Sequence, residues 1–219
     1  MGRSLILTPK VLLMDEPMAN LDAPSRIKIR TELLNLHKDL KLTVLYVTHN
    51  MADAMALADR IAVMNKGKIL QCDLSEKLYD HPSDLFVAGF LGSPAMNFID
   101  CTLEERNGSV FLVNGEFSVE INDMKELVGS SMGSTIILGI RPEDIVVSRT
   151  ANGKESIEAA IEVVERVNPL EILSVRVGKS IFLKVISLLA NYAAGEKVWL
   201  NFVSSKIHLM DPVTGKAVV

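Results

Sequence analysis

The stretch Val11-Leu12-Leu13-Met14-Asp15-Glu16-Pro17 decides the reading of this chain. Its apolar run has the character of a buried strand, and two carboxylates end it before a proline. Ligands of α/β proteins bind at the C-terminal edge of the parallel sheet, so Asp15 and Glu16 stand where chemistry is done. One carboxylate can hold Mg²⁺, a hard cation that prefers oxygen ligands. Its neighbour can orient or deprotonate an attacking water. The same residues are also compatible with a strand that ends in a plain turn. Ala19-Asn20-Leu21-Asp22 follows, and Asp22 stands where it can cap a helix, a role that can coexist with a place in an interface. A second β-rich run, Thr43 to Thr48, ends in Tyr46-Val47-Thr48-His49. If the two strands are parallel, His49 shares the sheet edge of Asp15 and Glu16, within reach of a phosphate or the attacking water. It is otherwise a polar strand terminus. His37, His81 and His208 lack such company and read as surface residues.

Outward from this centre the chain changes character near Pro94. Between Asp22 and Leu40 the apolar residues Ile27, Ile29, Leu33, Leu34, Leu36 and Leu40 fall at helical spacing. Asn50 is placed to cap a helix through Met51, Ala54, Met55, Leu57 and Ala58. Residues 60–65 and 68–71 read as strands joined by a Lys66-Gly67 hairpin turn. Short helices are expected near 75–79 and 83–91. Strand, helix, strand, helix, strand implies an α/β fold with a parallel sheet over residues 1–93. Beyond Pro94 the helical patterns stop. Short β-rich runs at 97–104, 109–113, 117–121, 135–140, 157–167, 173–177, 181–185, 197–203 and 207–209 predict an all-β unit over 94–219, a small antiparallel barrel or sandwich. The first stretch holds 11 basic and 11 acidic residues, the second 12 and 16.

The whole chain has 219 residues, 48% hydrophobic and 23% charged, with a net charge of -4. This is ordinary globular composition, and the acidic balance argues against a nucleic-acid partner. Cys72 and Cys101 form no metal-spaced cluster or disulfide framework. No uninterrupted apolar run is long enough to span a bilayer, and residues 1–7 make no convincing signal peptide. The expectation is a cytosolic protein that can still sit on a membrane through a partner.

In their order and spacing these motifs resemble the ATP-binding subunits of ABC transporters. Val11–Pro17 is similar to the Walker B strand with its adjacent glutamate. Ala19–Asp22 is similar to the D-loop, with Ala19 where the family often has serine, and His49 to the switch histidine. Leu57–Ile61 and Val63–Gly67 resemble the stretch that follows. The resemblance narrows further along. Leu78-Tyr79-Asp80-His81-Pro82, Phe86–Pro94 and Met96-Asn97-Phe98 look like the linker of sugar-importer ATPases. Leu138-Gly139-Ile140-Arg141-Pro142-Glu143, Gly195–Leu200 and Lys206–Pro212 with Thr214-Gly215 look like their C-terminal OB-like regulatory barrel. The maltose, multiple-sugar and glycerol-phosphate branch is the best match. Arg141-Pro142-Glu143 is also compatible with a plain structural corner.

The resemblance implies the C-terminal part of a P-loop NTPase domain followed by an OB-like barrel. It implies ATP and Mg²⁺ as ligands, with Asp15 on the metal and Glu16 as general base or water positioner. His49 would sense the γ-phosphate, while Asn20, Leu21 and Asp22 would contact the nucleotide-bearing dimer partner. It further implies a homodimer on the cytoplasmic face of the inner membrane, membrane-spanning permease subunits, an extracytoplasmic solute-binding protein at one remove, and a possible regulatory protein at the barrel. The sequence contains no Gly-rich loop ending in Gly-Lys-Ser/Thr, no Leu-Ser-Gly-Gly-Gln-type signature and no glutamine loop. Met1-Gly2-Arg3-Ser4 resembles the helix just after that signature. The chain by itself is therefore expected to bind no ATP usefully and to hydrolyse none. Residues 1–93 are expected to be the more loosely ordered part. Two other readings stand beside this one: a barrel that binds a small oxyanion, and a truncated dimerisation partner without ATPase activity.

Overall fold

The computed structural model describes residues 9–128, 132–153 and 155–218. Met1-Gly2-Arg3-Ser4 lies outside them. The chain forms two compact units, Met1–Lys77 and Leu78–Val219.

In the first unit β1 (Val11–Asp15) and β2 (Thr43–Val47) are parallel, with pairs running from Val11↔Thr43 to Asp15↔Val47. The crossover between them is α1 (Ala23–Leu40), which makes this a β-α-β unit. Pro24 lies in the first turn of α1, where its missing N–H costs nothing. Lys41 ends the helix in the left-handed region at φ 49° and donates its N–H to the His37 carbonyl at 3.0 Å. Leu33 of α1 packs with Leu12, Met14 and Met18, flanked by Ile29, Val44 and Tyr46. The apolar run of β1 is buried on one face only: Leu13 is 71% exposed, and across the ladder Leu45 is 59% exposed.

Asn50 caps α2 (Met51–Leu57), its side chain accepting from the Asp53 N–H. β3 (Ile61–Asn65) and β4 (Lys68–Asp73) form the expected hairpin. Lys66 at φ 48° and Gly67 at φ 77° supply the two positive angles that a tight two-residue turn requires. Here the structure departs from a three-stranded parallel reading. Among the described residues the parallel sheet has two strands, and β3 pairs with β4 instead.

The chain enters the second unit through α3 (Ser75–Asp80) and continues into α4 (Leu85–Phe90). Among the described residues ten strands follow: β5 (Asn97–Arg106), β6 (Ser109–Asn114), β7 (Phe117–Glu120), β8 (Thr135–Ile140), β9 (Ile145–Ser148), β10 (Ile157–Val167), β11 (Leu170–Val177), β12 (Ile181–Leu188), β13 (Lys197–Phe202) and β14 (His208–Met210). They form two antiparallel five-stranded sheets, ordered β14-β8-β5-β6-β7 and β12-β11-β10-β13-β9. Inward residues alternate with outward ones, so Leu103, Leu112 and Leu138 from one sheet share a core with Leu173, Val185 and Leu200 from the other. Strand β9, four residues long, is an element that the patterning did not reveal.

Three polar devices hold this unit. The Asn97 amide works as a ladder rung against the edge strand β12: its Oδ1 accepts from the Lys184 N–H at 2.8 Å and its Nδ2 donates to the Lys184 carbonyl at 2.9 Å. Glu116 accepts from the Lys179 N–H at 3.1 Å and lies where a Cβ on Gly178 would have to be. Arg141, 2% exposed, donates to the carbonyls of Leu91 at 2.8 Å and Tyr79 at 2.5 Å, and its guanidinium lies 3.4 Å above the Tyr79 ring. The Tyr79 hydroxyl donates in turn to Glu143. The Arg141-Pro142-Glu143 corner is thus a packed joint between the strand and the segment 79–91.

The surface reading of His208 is corrected. It is half-buried in β14, and burial, reinforced by Arg141, lowers its pKa to about 4. Cys72 and Cys101 are both free thiols, the first exposed and the second buried.

Candidate functional site

Parallel pairing of β1 with β2 brings the three residues of interest to one edge. Asp15 ends β1 opposite Val47, and the Glu16 N–H extends the ladder to the Val47 carbonyl at 2.9 Å. Glu16 then turns into the left-handed region at φ 41°. For a residue with a Cβ this costs about 1–2 kcal/mol, and such strain collects at functional positions. The turn aims the Glu16 carboxylate across to the next strand, where its Oε1 meets His49 Nδ1 at 2.8 Å. A carboxylate only accepts, so His49 Nδ1 is the donor of this pair and Nε2 faces away from it. Both side chains are open to solvent, 74% for His49 and 43% for Glu16. The contact therefore adds little stability, and its value is orientation. Asp15 is exposed beside them.

Asn20 and Asp22 are exposed and Leu21 is half-buried. The segment is held from inside: Leu21 donates to the Met18 carbonyl at 3.2 Å, and Met18 is 1% exposed. Asp22 occupies the N-cap position of α1, but its side chain makes no capping bond to the backbone. The Ser25 hydroxyl beside it holds its carboxyl below the usual carboxylate range. Glu16 and His49 are thus in contact, and Asp15 adjoins them in sequence at the same edge. Asn20, Leu21 and Asp22 form the neighbouring turn.

Sequence reasoning missed the floor of this site. Asp53, 2% exposed, binds Arg30 at 2.6 Å and lies 4.0 Å from the Arg26 Nε. Tyr46 borders the same pocket as Glu16, His49 and Asp53. Its hydroxyl is shifted upward by burial and by the Asp53 charge. A signal existed. Asp53 is the lone acid in an otherwise apolar helical run, and Arg26 and Arg30 are spaced to share one face of α1.

The donor set suits Mg²⁺ held together with a nucleotide. Asp15 and Glu16 offer hard oxygens, and no group of three or more metal-ligating side chains exists among the described residues. Mg²⁺ commonly takes one or two carboxylates and fills its shell with water and phosphate. Among the described residues no helix is long and apolar enough to cross a membrane.

Comparison with known proteins places these observations. A family model for the MalK OB fold domain matches residues 92–145, within the two-sheet unit. The trehalose/maltose import ATP-binding protein MalK of Thermococcus litoralis is 39% identical over 225 residues, covering 100% of this chain and 60% of that protein. The sn-glycerol-3-phosphate import ATP-binding protein UgpC of Shigella boydii is 37% identical, covering 100% of this chain and 60% of that protein. The chain thus spans about three-fifths of the length of these relatives. Among solved structures, the cytoplasmic molybdate-binding protein ModG overlaps 53% of the chain at a TM-score of 0.42 and 10% identity, too distant a likeness to bear on fold or ligand. Matched along its whole length, and carrying the MalK-type OB fold over residues 92–145, the chain is a homologue of part of the ATP-binding proteins of ABC importers.

Proposed function

We propose that this chain carries the hydrolytic edge of an ABC importer ATPase, coupling ATP hydrolysis to uptake of a carbohydrate or related solute. The observation that carries the reading is the Glu16–His49 contact of 2.8 Å at the C-terminal end of a parallel strand pair, with Asp15 adjoining. Mg²⁺, when bound with the nucleotide, supplies charge neutralisation at the transferring phosphate. Asp15 would hold that ion. Glu16 accepts from, and so orients, the attacking water. His49 donates from Nδ1 to Glu16 and, when it carries a proton on both ring nitrogens, presents an Nε2–H donor to the γ-phosphate side. Asn20, Leu21 and Asp22 form a turn that contacts the second subunit of a homodimer. Permease subunits and an extracytoplasmic binding protein complete the transporter, and the two-sheet barrel serves dimer contact and regulation.

A phosphate cradle of backbone N–H groups and a lysine is a separate requirement for tight nucleotide binding, and these 219 residues contain no Gly-Lys-Ser/Thr loop. The expected behaviour is no measurable Mg-ATP binding by the 219-residue chain and tight binding by a chain extended upstream through such a loop. Equilibrium titration of both decides this. Equal binding by the two would overturn the assignment of Asp15, Glu16 and His49.

A further inference from the structure

We infer that Asp53 is a positioning residue of this ATPase site, setting the His49 segment against the Asn20–Asp22 turn through Arg26 and Arg30; the inference rests on the function proposed above. A carboxylate that is 2% exposed must be compensated, and Asp53 is compensated from one direction only, by α1. Its Oδ1 takes a hydrogen bond from Arg30 at 2.6 Å. Its Oδ2 lies 4.0 Å from the Arg26 Nε, an ion-pair distance too long for a hydrogen bond. That Nε is itself buried without a hydrogen-bond partner.

Each end of this pairing runs on to a proposed site residue. On the α1 side, Arg26 also donates to the Leu21 carbonyl at 3.2 Å, so the guanidinium that meets Asp53 grips the turn directly. On the α2 side, the Asp53 N–H donates to the Asn50 side chain at 3.1 Å. The Asn50 N–H donates in turn to the Thr48 hydroxyl at 2.9 Å. His49 sits between those two residues, so its backbone is clamped from both sides. A continuous path therefore runs from Leu21 through Arg26, Asp53 and Asn50 to the segment bearing His49. Arg26, Asp53, Asn50, Glu16 and His49 all border one pocket. Exposed site residues such as His49, 74% open to solvent, have little packing of their own to hold them, and this buried charge group adds a constraint.

Asp53 touches no reacting atom in this arrangement. Its loss should lower turnover while leaving nucleotide affinity in place. The test uses the chain extended upstream through a phosphate loop, with Glu16→Gln as a control. Asp53→Ala is expected to cut kcat roughly ten- to hundredfold with KM within about twofold, the scale of a misplaced catalytic group. Asp53→Glu should recover most of the loss. Arg26→Gln should lower kcat as well, and the double variant with Asp53→Ala should be no worse than the lower single variant. Urea unfolding of each variant identifies any that fail to fold, and Arg26→Gln, which leaves Asp53 its Arg30 partner, then carries the test. Unchanged kcat in Asp53→Ala, with Glu16→Gln inactive, overturns the positioning role alone. A rise in KM equal to the fall in kcat/KM, without recovery by Asp53→Glu, overturns it too. Full activity in Glu16→Gln overturns the hydrolytic reading on which it rests.

Discussion

Lowering the pH should loosen the barrel through a single imidazole. His208 stands in β14 opposite Gly139, where a Cβ would press to 2.8 Å from the Met96 sulfur. Burial lowers its pKa from 6.5 to about 4, and Arg141, His81 and Lys206 push in the same direction while Asp80 opposes them. Between those two values the unfolded chain carries a proton that the folded chain refuses. The unfolded state then binds more protons, so stability rises with pH across the window. It is complete above about pH 6.5, falls as the pH drops, and levels off below about 4. At 1.36 kcal/mol per unit, the shift corresponds to at most about 3 kcal/mol overall and at most about 2 kcal/mol at pH 5; the partial exposure of the ring reduces both. Trp199, the single tryptophan, lies in β13 and reports unfolding of this unit directly. Urea titrations at pH 7 and pH 5 on the native chain and on His208→Gln separate this group from the rest. Asp144, which burial shifts upward, has the opposite sign but is present in both proteins. The native chain should lose about 1–2 kcal/mol more than the variant on going to pH 5. Equal losses would refute the reasoning.

Arg141→Ala leaves the buried Leu91 carbonyl and the part-buried Tyr79 carbonyl without their donor, and should destabilise the barrel by about 2–4 kcal/mol in the same titration. Gly178→Ala places a Cβ at φ 54° on top of the Glu116 carboxylate, and should cost about 1–2 kcal/mol; the added Glu116→Ala should recover only the clash and not the backbone strain. Leu13→Lys with Leu45→Lys puts charge on the open face of the β1–β2 pair. It should reduce concentration-dependent association in light scattering and leave the Trp199 unfolding transition of the barrel where it was.

Local rules located the elements well because each rests on a short-range cause. Asn50 caps α2 through its own side chain, and Lys66-Gly67 turns the hairpin because both positions take positive φ. The run 157–167 coincides with β10 because alternation and length agreed. Long-range pairing was less visible. The Lys66-Gly67 turn pairs the strand at 61–65 with β4 as expected, but that the parallel sheet then has two strands among the described residues was not visible. β9 is too short to show a pattern, and it exists because β13 offers it an edge. In the site, Glu16 and His49 were legible from their places after two apolar runs. Their contact needed the register Asp15↔Val47 and the left-handed turn at Glu16, neither of which is written in residue types. Asp53 escaped because a carboxylate on a helix usually faces water. Its lone place in an apolar run was the signal, and the packing of α1 against α2 turns that signal into a buried ion pair.

The rung that Asn97 offers to Lys184 has a chemical consequence. A peptide unit presents one donor and one acceptor, and a primary amide is the side chain that reproduces both at that spacing. Aspartate, nearly identical in shape, has lost the donor half, and at neutral pH it would set a negative charge against the Lys184 carbonyl. Hydrolysis of this one amide to an acid would therefore break one of the two bonds of the rung, the one to the Lys184 carbonyl, without moving a single carbon atom. The Lys184 carbonyl of β12 would then be left without the donor that now satisfies it.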